Sequence, residues 1–81
     1  MTIFEEIREI LVGQLAIKPA LVRTESKLSN DLGADSLDAL EIVSALEGKF
    51  GINITEDEVP KISSVGDLVT LVDEKLRSKT S

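Results

Sequence analysis

The chain has 81 residues, 42% of them apolar and 30% charged, and its nine basic and fifteen acidic side chains leave a net charge of −6. That is room for one globular domain with a modest core. The charge argues against binding nucleic acid or an anionic membrane, both of which need a basic surface, while a basic protein partner would be attracted at low salt. There is no cysteine and no histidine, so disulfides, thiolate metal ligands and a histidine base to activate a serine are all excluded.

Phe4 and Phe50 are the only aromatic residues, which leaves the core to Ile, Leu and Val. The start, Met1-Thr2-Ile3-Phe4-Glu5-Glu6, lacks the basic and apolar stretches of a signal peptide, and no apolar run is long enough to cross a membrane. A soluble cytoplasmic protein without membrane insertion is expected.

Residues 3 to about 16 read as a first helix. Ile3, Phe4, Ile7, Ile10 or Leu11, and Leu15 recur at helical spacing, with Thr2 as N-cap and acidic residues in the first turn. Lys18-Pro19 should end it, because the residue before proline is pushed out of the helical region. Residues 18 to about 35 show no sustained periodicity and predict a long ordered loop, pinned to the core by Leu21, Val22, Leu28 and Leu32. Gly33 supplies a positive φ before the next helix. That second helix starts at Ser36 and runs to about Phe50, with Asp35 as N-cap, Asp38 at the third helical position and Gly51 just past the end. A short turn of helix fits residues 56 to 61, capped by Thr55 and limited by Pro60. The last helix begins after Ser64, pairs Ser64 with Asp67 in a capping-box pattern, and buries Val65, Leu68, Val69, Val72 and Leu76. Residues 78–81 read as a flexible C-terminal tail behind a domain of residues 1–77. The fold class is all-α: a small four-helix bundle, three main helices plus one short helix, with a long first loop.

The second helix carries more apolar residues than burial requires. Ala39, Ile42, Val43, Leu46 and Phe50 form a complete core stripe, and Leu37 and Leu40 fall beside it among Asp38, Glu41 and Ser44. Two readings stand: a wide core face that covers both leucines, or a small docking patch. Ser36 also has two readings. A serine in the first turn is commonly a cap or an exposed helix-start residue. As a modified residue it would place a phosphate ester at a helix start, where free N–H groups and the dipole favour negative charge, while Asp35 and Asp38 hold the group outward. Asp31, Asp35 and Asp38 do not follow the EF-hand pattern, and no metal site is expected. Paired carboxylates on an exposed helix start, with no phosphate-binding glycine loop, give no basis for an enzyme.

The run Asp31-Leu32-Gly33-Ala34-Asp35-Ser36-Leu37-Asp38, followed by Glu41-Ile42-Val43, Ala45-Leu46-Glu47, Phe50-Gly51 and Ile62 to Asp67, resembles the acyl carrier protein family, most closely the free-standing type of bacterial fatty acid synthesis. The resemblance covers nearly the whole chain. It implies that Ser36 receives 4′-phosphopantetheine from coenzyme A through a phosphodiester, by a phosphopantetheinyl transferase. The arm's thiol, not a cysteine, would then hold acyl groups as thioesters for fatty acid synthesis enzymes. It further implies that Asp35, Asp38, Glu41 and Glu47 meet basic docking patches, with Leu37 and Leu40 as apolar contacts. Acyl chains would shelter among Leu46, Phe50, Ile54, Val59 and Ile62. Such a carrier has no catalytic residue of its own, and a monomer suits the role.

Three places depart from the common fatty-acid pattern. Glu47-Gly48-Lys49 stands where an all-acidic triplet is frequent, Ser44 where methionine is usual, and Val59-Pro60 replaces a more helix-friendly pair. These leave open a specialised carrier for a polyketide or other secondary lipid pathway. A peptidyl carrier shares the arm but usually differs before the serine, where Gly33-Ala34-Asp35 favours an acyl carrier. An unmodified helical interaction module is the remaining alternative, separable by Ser36→Ala.

Overall fold

The computed structural model describes residues 2–80, the last by its backbone alone. The first helix, α1 (Ile3–Leu15), opens on a reciprocal cap. The Thr2 hydroxyl accepts from the Glu5 N–H at 3.1 Å, and the Glu5 carboxylate accepts from the Thr2 N–H at 2.9 Å. These bonds hold the Glu5 carboxyl below its usual pKa, the Thr2 N–H contributing most. Of the expected stripe, Ile7 and Leu11 are fully buried, while Ile3, Phe4, Ile10 and Leu15 pack at its margin. The helix stops at Leu15 rather than at Lys18-Pro19. Ala16 turns left-handed with φ 53°, which breaks the helix before proline can.

The segment from Ile17 to Asp35 is ordered, with one 3-10 turn at Pro19–Leu21. Val22 and Leu32 enter the core and Leu28 packs against it, but Leu21 is 52% exposed. The expectation that Leu21 pins the loop is therefore corrected: the turn that Pro19 starts carries Leu21 outward and delivers Val22 inward. Buried Ser26 holds this turn closed, its hydroxyl donating to the Leu21 carbonyl at 2.8 Å and accepting from the Arg23 N–H at 3.0 Å. The loop then crosses to the start of the last helix. Leu28 N–H donates to the Ser63 carbonyl, Val65 N–H to Ser26 and Gly66 N–H to Thr24, all at 2.8–2.9 Å. Loop carbonyls thus satisfy N–H groups that a helix start leaves open. At Gly66 a Cβ would stand 3.0 Å from the Thr24 carbonyl oxygen, so any larger residue would crowd this crossing and push the loop back by a few tenths of an ångström.

Helix α2 (Ser36–Phe50) has the expected bounds and ends on Gly51 with φ 65°. It buries Ile42, Val43 and Leu46. The chain returns through residues 52–64, tied by the Glu47 carboxylate accepting from the Ile54 N–H at 2.8 Å and by a 2.9 Å Glu58–Lys75 ion pair. The short helix expected over 56–61 is a single 3-10 turn, Val59–Lys61. Pro60 lacks the N–H that an α-helical turn would use there.

Helix α3 (Val65–Thr80) buries Val65, Leu68 and Val72, and Val69 and Leu76 pack against the core. It continues helical through Thr80, so most of the expected 78–81 tail is helix; residue 81 lies outside the described residues. Lys79 accounts for the extension, its ammonium donating to the Gly51 carbonyl at 2.7 Å and so binding the negative end of α2. The described residues therefore form an all-helical domain of three α-helices and two 3-10 turns, with no strand beyond an isolated Lys27–Ser64 bridge.

Candidate functional site

Ser36 is the first residue of α2 and is exposed. Its position follows from the loop before it. Ala34 N–H donates to the Leu28 carbonyl at 2.8 Å, Gly33 adopts φ 74°, and Ala34 is buried, which sets Asp35 extended at the rim. Asp35 then caps the helix. Its carboxylate accepts from the Asp38 N–H at 2.9 Å, and the Asp38 carboxylate accepts from the Asp35 N–H at 3.2 Å. Because the carboxylates do the capping, the Ser36 hydroxyl is left without a hydrogen-bond partner among the described residues. It is exposed to groups delivered from outside, the Asp35 and Asp38 carboxylates are engaged with each other's N–H groups, and the chain has no histidine to make it a nucleophile.

Leu37 and Leu40 are 65% and 59% exposed. The reading in which a wide core face covers them is thereby overturned. Beside them lie exposed Glu41, whose carboxylate accepts from the Gln14 side chain, exposed Ser44 and half-buried Asp38. Glu47 is different. It is half-buried and its carboxylate is engaged with the Ile54 N–H. Lys49 pairs with Glu6 of α1 at 3.7 Å, so the second half of α2 is committed to the fold.

On the other side of Ser36 an open groove runs between Leu28, Ala34 and Ala39 and the Ile62–Ser63 segment. The same Leu28, Ala34, Ala39 and Ile62 form the mouth of a small apolar cavity of about 40 Å³, completed by Ile42, Val43, Val59 and Leu68. Of the acyl-pocket candidates, Val59 and Ile62 line this cavity, whereas Leu46 and Ile54 are buried in the packed core and Phe50 sits at its margin. Ala34 and Ala39, expected as part of the motif and of the core stripe but not as pocket lining, provide the opening. Two alanines flanking an exposed serine at a helix start were the available signal, since small side chains leave room where the chain's other apolar residues fill it.

No group of His, Cys, Asp or Glu among the described residues has the geometry of a metal site, and no helix among them is long and apolar enough to cross a membrane. The phosphopantetheine attachment site family matches residues 5–72. An acyl carrier protein of Campylobacter hominis is 47% identical over 79 residues, covering 98% of this chain and all of that one. One from Wolinella succinogenes is 51% identical over 73 residues, covering 90% and 96%, and one from Helicobacter pylori is 42% identical over 74 residues, covering 91% and 95%. The chain belongs to the acyl carrier protein family. Members are carriers, not enzymes, and their cofactor is 4′-phosphopantetheine.

The residues around Ser36 fit that group. The exposed Ser36 hydroxyl could take a phosphodiester without breaking a native bond, an open groove lies beside it, and the cavity next to that groove is apolar. When bound, the group supplies a thiol to a chain that has none of its own.

Proposed function

We propose that Ser36 is the attachment residue and that the protein carries acyl groups for enzymes of fatty acid synthesis. The observation that carries this reading is the Ser36 hydroxyl, exposed, outside the cap, and at the head of a groove that opens into an apolar cavity. In the attachment step Ser36 Oγ forms a bond to the β-phosphorus of coenzyme A. The pyrophosphate P–O bond breaks, adenosine 3′,5′-bisphosphate leaves, and the serine proton passes to a base of the phosphopantetheinyl transferase.

The first half of α2 is the docking surface for that transferase and the later enzymes. Asp35, Asp38 and Glu41 attract basic patches, and Leu37 and Leu40 give the contact its apolar centre. Glu47 acts at the edge of that surface through its charge while its carboxylate stays on Ile54. The acyl chain enters at Ala34 and Ala39 and rests against Val59 and Ile62, with Leu46, Phe50 and Ile54 as the packed wall behind. In this reading the turn at Val59–Lys61 serves as the fourth helix of the bundle, and the protein works as a cytoplasmic monomer.

Intact mass spectrometry tests the assignment. Incubation with coenzyme A and a broad-specificity transferase should add one phosphopantetheine to the protein and none to Ser36→Ala. An unmodified protein that gains nothing from an active transferase would favour the interaction-module alternative.

A further inference from the structure

The cavity behind Ser36 is small, and its lining has an order. Leu28, Ala34, Ala39 and Ile62 belong both to the open groove and to the cavity, so they form the entrance. Ile42, Val43 and Leu68 line the cavity alone and are buried in the core, and half-buried Val59 completes it nearer the surface. Of these, Ile42 and Leu68 are each 1% exposed and come from the two helices that flank the space, α2 and α3. Behind them the core is closed by fully buried Leu46 and Val72, neither of which lines the cavity.

Resting on the carrier reading above, we propose that Leu68 is the floor of the acyl site and sets how long a chain this protein shelters. At about 40 Å³ the cavity is a few times the roughly 10–15 Å³ that one water needs on the same kind of measure, room for a few carbons and not for a long chain. It therefore admits only the end of a short chain before that chain meets Leu68 and Ile42. A longer chain must either displace this pair or leave part of itself outside. Ile42 is held in the middle of α2, with Val43 and Leu46 buried around it. Leu68 is in the first turn of α3, beside the N–H groups that the long loop caps. Trimming Leu68 deepens the site along its axis, whereas trimming Val59 widens it at the rim.

The experiment loads the full-length protein with straight acyl chains of graded length, using the transferase and the matching acyl-coenzyme A thioesters. Mass spectrometry first verifies the adduct on Ser36. Thermal midpoint and the rate at which hydroxylamine cleaves the thioester then report shelter. For the native chain, midpoint gain and protection should reach an optimum at a short chain and decline beyond it. Leu68→Val should move that optimum about one carbon longer and Leu68→Ala about three, following the methyl and methylene groups removed. Leu68→Phe should abolish the gain. Val72→Ala, as buried and on the same helix but outside the cavity, should lower every midpoint equally and leave the optimum where it was. Should Leu68→Ala fail to fold, Leu68→Val and Leu68→Phe still move the optimum in opposite directions. An optimum that stays fixed across the Leu68 series, or that moves equally with Val72→Ala, overturns the floor while leaving attachment intact. A failure of Ser36 to accept any adduct overturns the carrier reading itself, and the floor with it.

Discussion

Two serines stand at helix starts in this molecule, and they are used in opposite ways. At α3 the Ser64 hydroxyl accepts from the Asp67 N–H at 3.2 Å, and one oxygen of the Asp67 carboxylate collects the Ser63 N–H, the Ser63 hydroxyl and the Ser64 N–H at 2.9–3.0 Å. At α2 the cap has moved one residue earlier, to Asp35, and the exchange with Asp38 is complete without Ser36. Both helices carry aspartate at the third helical position, Asp38 and Asp67. What differs is which residue occupies the cap. A serine in the cap spends its hydroxyl on the backbone, whereas a serine just after an aspartate cap keeps it available. Availability for modification is thus decided by a shift of one position in the capping register.

Exchanging alanine for each serine gives the largest contrast. Ser36→Ala should abolish phosphopantetheine incorporation and change stability by less than about 0.5 kcal/mol, as expected for an exposed residue with no bond to lose. Ser64→Ala should leave incorporation intact and cost about 1 kcal/mol through the lost cap. Mass spectrometry and urea unfolding on the two variants read both columns of the comparison. A Ser64→Ala protein as stable as the native chain would show that the loop carbonyls, not the hydroxyl, secure the α3 start.

The surroundings of the two serines differ as well, because only α2 carries exposed leucines at its start. Replacing Leu37 and Leu40 together by serine should lower kcat/KM of the transferase about tenfold or more. The unfolding midpoint should barely move, since neither side chain is in the core. An equal rate for the double variant would place the docking contact elsewhere. Raising salt should slow the native protein's modification further by screening Asp35, Asp38 and Glu41.

Acid should weaken the α3 end. The hydrogen bonds from Ser63 and Ser64 hold the Asp67 carboxyl at about 2, below its ordinary 3.8, and the Lys75 ammonium with the Thr55 N–H holds Glu58 at about 2, below 4.5. A carboxyl whose folded pKa lies below its unfolded value stabilises the fold above the unfolded value and loses that contribution as pH falls to the folded one. Stability should therefore drop between pH 4.5 and about 2. Asp67→Asn should cost about 1 kcal/mol at neutral pH, since water still screens part of the bonding of this half-buried carboxylate, and flatten part of that acid slope. Carboxyl carbon NMR titration checks the two midpoints directly, and ordinary values for both would remove the basis for the slope.

Much of this was legible in the chain because capping and periodicity are local. The bounds of α2, the Asp35 and Thr2 caps and the left-handed glycines at 33 and 51 follow from neighbours within a turn. The parts that were not legible depend on distant partners. Leu21 points out because a proline turn fixes its direction, the last residues of α3 stay helical because Lys79 finds Gly51 across the bundle, and Glu47 is engaged by the Ile54 N–H seven residues on. The cavity is a feature of the same kind. Ala34 and Ala39 come together with Val59 and Leu68 only when the return segment closes over α2.

Ala16 offers the smallest test, and it concerns a helix end rather than a start. Both α1 and α2 finish in a left-handed residue, but α2 uses Gly51 at φ 65° where α1 uses Ala16 at φ 53°. A Cβ in that region crowds the following carbonyl oxygen, at a cost of roughly 1 kcal/mol. Ala16→Gly removes the crowding, and the added freedom of glycine in the unfolded chain offsets part of the gain. The net expectation is a stabilisation of about 0.5 kcal/mol, read from urea midpoints with unchanged slope. The reverse exchange, Gly51→Ala, should cost about 1 kcal/mol. There the new Cβ would also stand 2.7 Å from the Lys79 ammonium nitrogen and push it off the Gly51 carbonyl. If Ala16→Gly destabilised by as much as Gly51→Ala, contacts of the Ala16 methyl would outweigh its backbone strain, and the two helix ends would be held by different forces.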